Sequence, residues 1–217
     1  MFFLGHMAWA YVWAVTFAGK RLGRLFVPAV LMLGVMPDID LILEGFGLEH
    51  HTVTHSLFFW FVIFAPFLAV FRRKVVPYLV AVAQHFAFGD FIVGNIMLFW
   101  PFSLSYFGFK NAMTSVFDVA LETAGLLLAA GIMYFNGDLK RLLSVDMRNI
   151  PMFLPLIALL TSMLFFAVDW PIIPLVAYIW SSPLLTTIVL AHIVLTIFLA
   201  VSTAQGFRRL FRVNKSN

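Results

Sequence analysis

The chain contains no cysteine. That excludes disulfides, thiolate nucleophiles, iron–sulfur clusters and cysteine-ligated zinc, and leaves His and carboxylate side chains to carry any metal chemistry. Charge is equally scarce. Charged residues are 11% of the 217 and hydrophobic residues 63%, with a mean hydropathy of +1.00, whereas a soluble domain is about 25% charged and about 45–50% apolar. Such a composition excludes a cytosolic enzyme, a disordered tail and a DNA-binding module, and predicts an integral membrane protein. Internal repeats and low-complexity tracts are absent as well.

What is present is a series of apolar runs. A spanning helix needs roughly 20 mostly apolar residues, and about seven such runs follow one another, near residues 2–18, 26–43, 56–71, 75–99, 113–135, 150–168 and 184–205. The predicted fold is therefore all-α, a polytopic helical membrane protein of about seven transmembrane helices forming a single integral membrane domain over residues 1–217, located in the cell membrane. The first run lacks a basic n-region and a small-residue cleavage site, so it is expected to be a retained span rather than a signal peptide. The sequence pI near 9.6 reflects topology, and no nucleic-acid partner is expected. Thirteen of the fourteen basic residues (Lys20, Arg21, Arg24; Arg72, Arg73, Lys74; Lys140, Arg141, Arg148; Arg208, Arg209, Arg212, Lys215) fall in alternate connections, against Lys110 alone on the other side. The positive-inside rule then predicts an outer N-terminus and a cytoplasmic C-terminus. Residues 137–149 and 206–217 have a period that suits amphipathic helices on the inner leaflet.

The polar residues concentrate toward the outer side. His6 begins the first run; Pro37-Asp38-Ile39-Asp40 ends the second; Glu44, Glu49, His50, His51 and His55 follow in the next connection; His85 and Asp90 lie in the fourth run. Ionisable groups in or near a bilayer are costly and mark pathways, relays or sites. Pro37 biases Met36 away from the helical region, and in extended backbone Asp38 and Asp40 would share a side. His50 and His51 are expected in a loop, with Thr52 or Thr54 as a helix N-cap and His55 in the first turn. His85 and Asp90 are about 140° apart on an ideal helix, so unwinding at Gly89 or Gly94 is needed to bring them together. It would leave residues 95–102 as a re-entrant loop. Asp118 and Glu122 share a face of the fifth run, and His192 is expected to hydrogen-bond between helices.

His6, Pro37-Asp38-x-Asp40, His50 with Thr54-His55-Ser56, His85 with Asp90, and Pro101 resemble the predicted membrane-bound metal-dependent hydrolases, also described as LexA-binding inner-membrane-associated putative hydrolases. The likeness covers about residues 1–102; residues 113–217 read only as additional transmembrane helices. The family typically has Arg where this chain has His51, and Gly where it has Thr52. An Arg there would suit bidentate phosphate binding. The resemblance implies a metal-dependent hydrolase. Residues and resemblance together predict one or two divalent metals, zinc first and manganese as the alternative, on His6, Asp38, Asp40, His50, His55, His85 and Asp90. Asp38 and Asp40 are expected to divide the roles of ligand and base, with Asp38 or Glu122 catalytic, and membrane lipid or a lipid-linked phosphoester is the expected substrate or partner, near a rim of Trp9, Trp60, Trp100 and Phe102. The alternatives are a metal-ion or small-solute transporter and a non-catalytic scaffold. The sequence does not specify the oligomeric state.

Overall fold

The computed structural model describes residues 1–18, 25–43, 46–111, 115–169 and 183–213. Among them every regular element is helical, apart from an isolated antiparallel bridge between Ile96 and Phe107. The all-α expectation therefore holds, and each of the apolar runs carries helix. Three helical stretches, Val76–Val93, Val116–Phe135 and Thr186–Phe211, are long and apolar enough to cross a membrane. The segments Phe3–Ala18, Val27–Ile39 and Met147–Thr161 are apolar but shorter. The basic cluster at residues 20–24, Glu44 and Lys215 lie outside the described residues.

The chain divides into two compact units, Met1–Leu126 and Leu127–Asn217, with the boundary inside one helix. In the first unit α1 (Phe3–Ala18), α2 (Val27–Val35) and α5 (Val76–Gln84) pack together. Their contacts are lined by small residues, the usual device for close approach where lipid removes the hydrophobic drive between helices. Ala10 and Ala14 are fully buried, and a Cβ on Gly34 of α2 would lie 2.6 Å from Ala10 Cβ and 2.8 Å from the His6 carbonyl oxygen. α4 (Leu57–Phe71) buries Trp60 and Phe64 in a core with Val82, Phe86, Ile96 and Leu98. It also exposes Phe58, Phe61, Val62 and Phe67.

Two helices are broken where the site is built. After α2 the backbone tightens into a 3-10 turn, Met36–Ile39, before α3 (Asp40–Leu43). Met36 is helical, at φ −63° and ψ −32°, so Pro37 does not impose the extended backbone expected; the run tightens without uncoiling. After α5 a π turn, His85–Gly89, precedes α6 (Asp90–Val93). The helix ends at Gly94, and residues 94–111 form an irregular loop in which Ile96 and Phe107 exchange two hydrogen bonds of 2.9 Å. Its backbone is anchored inward: Met97 N donates to His51 O at 2.9 Å, and Phe109 N to Phe91 O at 2.8 Å.

The second unit holds the rest of α7 (Val116–Phe135), then α8 (Asp138–Leu142), a 3-10 segment Met147–Met152, α9 (Phe153–Asp169) and α10 (Pro183–Val213). The amphipathic helix expected over residues 137–149 is instead a folded corner, because Asn149 turns back into it. Its buried Nδ2 donates to the carbonyls of Arg141, Leu142 and Ser144 at 3.2, 3.0 and 2.9 Å. Asn149→Ala leaves those acceptors without their donor, at about 1–3 kcal/mol for buried groups. A lowered unfolding temperature is the expected result; an unchanged one would mean water replaces the amide. His192 places Nδ1 2.8 Å from the Ile188 carbonyl of its own helix.

Candidate metal centre

The π turn solves the geometric problem posed by His85 and Asp90. A π turn bonds i to i+5, so these two residues, five apart, come onto one face, and His85 Nε2 lies 2.9 Å from Asp90 Oδ2. The 3-10 turn supplies Asp38, whose Oδ1 is 3.2 Å from His85 Nε2 and 3.5 Å from His55 Nε2. His55 closes the group, with Nε2 3.1 Å from Asp90 Oδ2. It is placed by a short 3-10 turn, Val53–His55, ahead of α4. Ser56 caps α4 by accepting from Phe59 N. Neither Thr52 nor Thr54 does so: Thr52 Oγ1 donates to the Glu49 carbonyl, and Thr54 Oγ1 to Asp40 Oδ2 at 2.5 Å.

Asp38, His55, His85 and Asp90 are all buried and present donor atoms within 4.8 Å of one another. The proton inventory indicates what they need. His85 Nδ1 is 2.7 Å from the Gly34 carbonyl, an acceptor, so in the neutral ring the proton sits on Nδ1 and Nε2 points a lone pair at the carboxylates. Asp90 Oδ2 has no hydrogen-bond donor. Imidazole nitrogens and carboxylate oxygens packed together out of water need a proton or a metal cation between them. These residues could hold a metal ion, and they fit one by number, charge and softness.

Comparison with family models, with curated proteins and with solved structures finds no match.

The other expected ligands take different places. His50 and Asp40 join Asp38 in a second donor group, with His50 Nδ1 2.8 Å from Asp40 Oδ1. His6 is brought to the cluster yet stands outside each donor group. Its Nε2 is 3.2 Å from Asp90 Oδ1, and its ring stacks on His85 at 3.7 Å. It orients Asp90. Glu122 and Asp118 are buried in α7 but in no donor group with the cluster; Glu122 Oε1 accepts from Phe2 N at 2.5 Å. Of the rim aromatics, Phe102 is exposed. Trp60 lies buried beneath the site, its Nε1 donating to the Thr54 carbonyl at 2.6 Å, and Trp9 donates to the Leu121 carbonyl.

His51 is the residue that reading by family pattern leaves out. It forms a third donor group with His50 and His55, its ring centroid is 3.8 Å from that of His50 with the planes tilted by 31°, and its Nε2 lies 3.9 Å from Asp90 Oδ2. Burial pushes its imidazole down to about 4, which keeps it neutral, the form a metal requires. Its adjacency to His50, four residues before His55, is the only signal in the sequence. Gln84 had none: its Nε2 donates to the His6 carbonyl at 2.9 Å, fixing α1 on α5 beside the site.

Proposed function

We propose that the chain is a multi-pass membrane enzyme, a metal-dependent hydrolase acting on a lipid or lipid-linked phosphoester at the outer leaflet. In this reading it has about seven spans, an outer N-terminus and a cytoplasmic C-terminus. The observation that carries it is the buried group Asp38, His55, His85 and Asp90, with donor atoms within 4.8 Å of one another, among helices that also expose apolar side chains. Zinc is the metal favoured, because His and carboxylate without cysteine match its catalytic sites. The resemblance of residues 1–102 to the predicted membrane-bound metal-dependent hydrolases supports the same reaction class. When bound, the ion supplies a Lewis acid that polarises a phosphoryl oxygen and acidifies water.

The residues divide their labour by contact. Asp38, in two of the donor groups, serves as ligand. Asp40, with its oxygens taken by His50 and Thr54, positions His50 and His55. His6 and Gly34 hold Asp90 and His85. The exposed aromatic surface of Phe58 and Phe102, whose rings meet at 4.9 Å, adjoins the start of α4 and suits an acyl chain.

His55→Ala is the direct test. Purified wild-type protein should carry zinc by mass spectrometry and release phosphate or headgroup from phosphatidic acid or phosphatidylglycerol vesicles. The variant should lose metal and hydrolysis together. If metal-loaded wild type cleaved no lipid phosphoester while moving zinc into vesicles, the carrier reading would replace the enzyme.

A further inference from the structure

We propose that the cluster holds two ions of different character: an inner one closed by Asp38, His55, His85 and Asp90, and an outer, open one on His50, His51 and His55. This rests on the metal reading above and assigns roles within it. A structural zinc has four protein ligands and no vacancy, whereas a catalytic one has three and keeps a position for water or substrate. The inner group supplies four donors, all buried. The outer group supplies three, and it contains the members of the cluster that reach the surface. The His50 and His51 side chains are 27% and 29% exposed, against 0% for His55 and His85 and 6–7% for Asp90 and Asp38.

The carboxylate alternative for an outer ion, Asp38 with Asp40 and His50, is weaker, since its oxygens are already engaged. Asp38 faces the inner imidazoles, and the Asp40 oxygens meet His50 Nδ1 and Thr54 Oγ1. The His50–Asp40 bond uses Nδ1 and leaves Nε2 free to ligate, the arrangement by which a carboxylate orients a ligating imidazole. His55 is common to both groups: its Nε2 faces Asp38, Asp90 and His85, while its Nδ1, 3.2 Å from Asp40 Oδ2 and from Thr54 Oγ1, would have to exchange those partners, and the ring its remaining proton, for the outer ion.

His51 adds an independent observation. Its backbone is left-handed, at φ +66°, a conformation a side chain other than glycine seldom adopts and one that clusters at functional sites. The backbone there is tied to the loop by the Met97 N to His51 O bond, and the ring lies against that of His50 at a 31° tilt. The outer ion therefore meets the substrate, and His51 takes part in holding that ion.

Zinc content per chain, measured by mass spectrometry on the full-length protein in detergent, tests this. Wild type should hold two ions and lose one to brief EDTA treatment. His50→Ala and His51→Ala should each hold one that EDTA does not remove. Cobalt-loaded wild type should change its visible absorption on addition of inorganic phosphate, and the His51→Ala protein should not. One ion in wild type, or two retained in His51→Ala, overturns the two-ion assignment and leaves the single-metal reading standing. No ion in wild type overturns both. The EDTA step on wild type needs no variant to fold.

Discussion

Replacing Asp90 by alanine is expected to abolish binding of the inner ion and to destabilise the protein by about 3–5 kcal/mol, the usual cost of removing one partner from a buried charged group. No other side chain is so placed among the described residues: it faces His6 at 3.2 Å, His55 at 3.1 Å and His85 at 2.9 Å. Without the carboxylate these imidazoles lose their shared anion in a region with no water to replace it. Metal analysis and thermal unfolding with chelator present separate the two effects, because the chelator removes whatever stability the ion contributes by binding. Asp90→Asn keeps the volume and removes the charge, so it should spare more of the fold while still losing metal. Full metal content in Asp90→Asn would show that the ion, if one binds, sits elsewhere.

Gly34→Ala is expected to be nearly as damaging, although a methyl group is all it adds. The new Cβ would fall 2.8 Å from the His6 carbonyl oxygen, which is backbone and cannot rotate away, and 2.6 Å from Ala10 Cβ. α1 and α2 must separate. Overpacking of this kind costs about 1–3 kcal/mol. The displaced Gly34 carbonyl also stops accepting from His85 Nδ1, and loss of such an orienting partner typically weakens metal affinity about 10–100-fold. Gly131→Ala in α7 is the control, with nothing within 4 Å of its new Cβ; it should be neutral or slightly stabilising through helix propensity. Competition with a chromogenic chelator reads the affinity. Equal affinity in Gly34→Ala and wild type would mean that α1 and α2 absorb the strain without moving His85.

The helical class was readable because it follows from composition and run length, which need no tertiary information. The convergence of His55, His85, Asp38 and Asp90 was readable for a related reason: isolated ionisable groups on apolar helices have few places to go except toward one another. The local geometry was not. Pro37 acts on the residue before it through a steric preference of moderate size, and packing of α2 against α1 and α5 outweighs that preference, so Met36 stays helical. Thr54 looked like a cap from its position ahead of α4, but Asp40, fourteen residues earlier, competes for its hydroxyl, and Ser56 takes the cap. Residue type marks His6 as a ligand candidate but does not place its ring, whose Nε2 lies 3.2 Å from Asp90 Oδ1 and which belongs to none of the donor groups. Gly34 and Gln84 act through backbone oxygens, which residue identity does not encode.

The turn at His85–Gly89 has a consequence for which changes the chain can tolerate. A π turn is an α-helix carrying one residue too many, and it puts the segments on either side out of phase by the angle of a single residue, about 100°. Substitution within the turn alters chemistry but preserves that phase. Deletion of one residue there would cancel it, rotating Asp90 away from His85 and carrying with it the Phe91 and Gly94 carbonyls that receive Phe109 and Lys110. The site is thus specified by a count as well as by identities, and its most conservative-looking lesion, one residue fewer in an otherwise unchanged helix, is the one that no compensating side chain can repair.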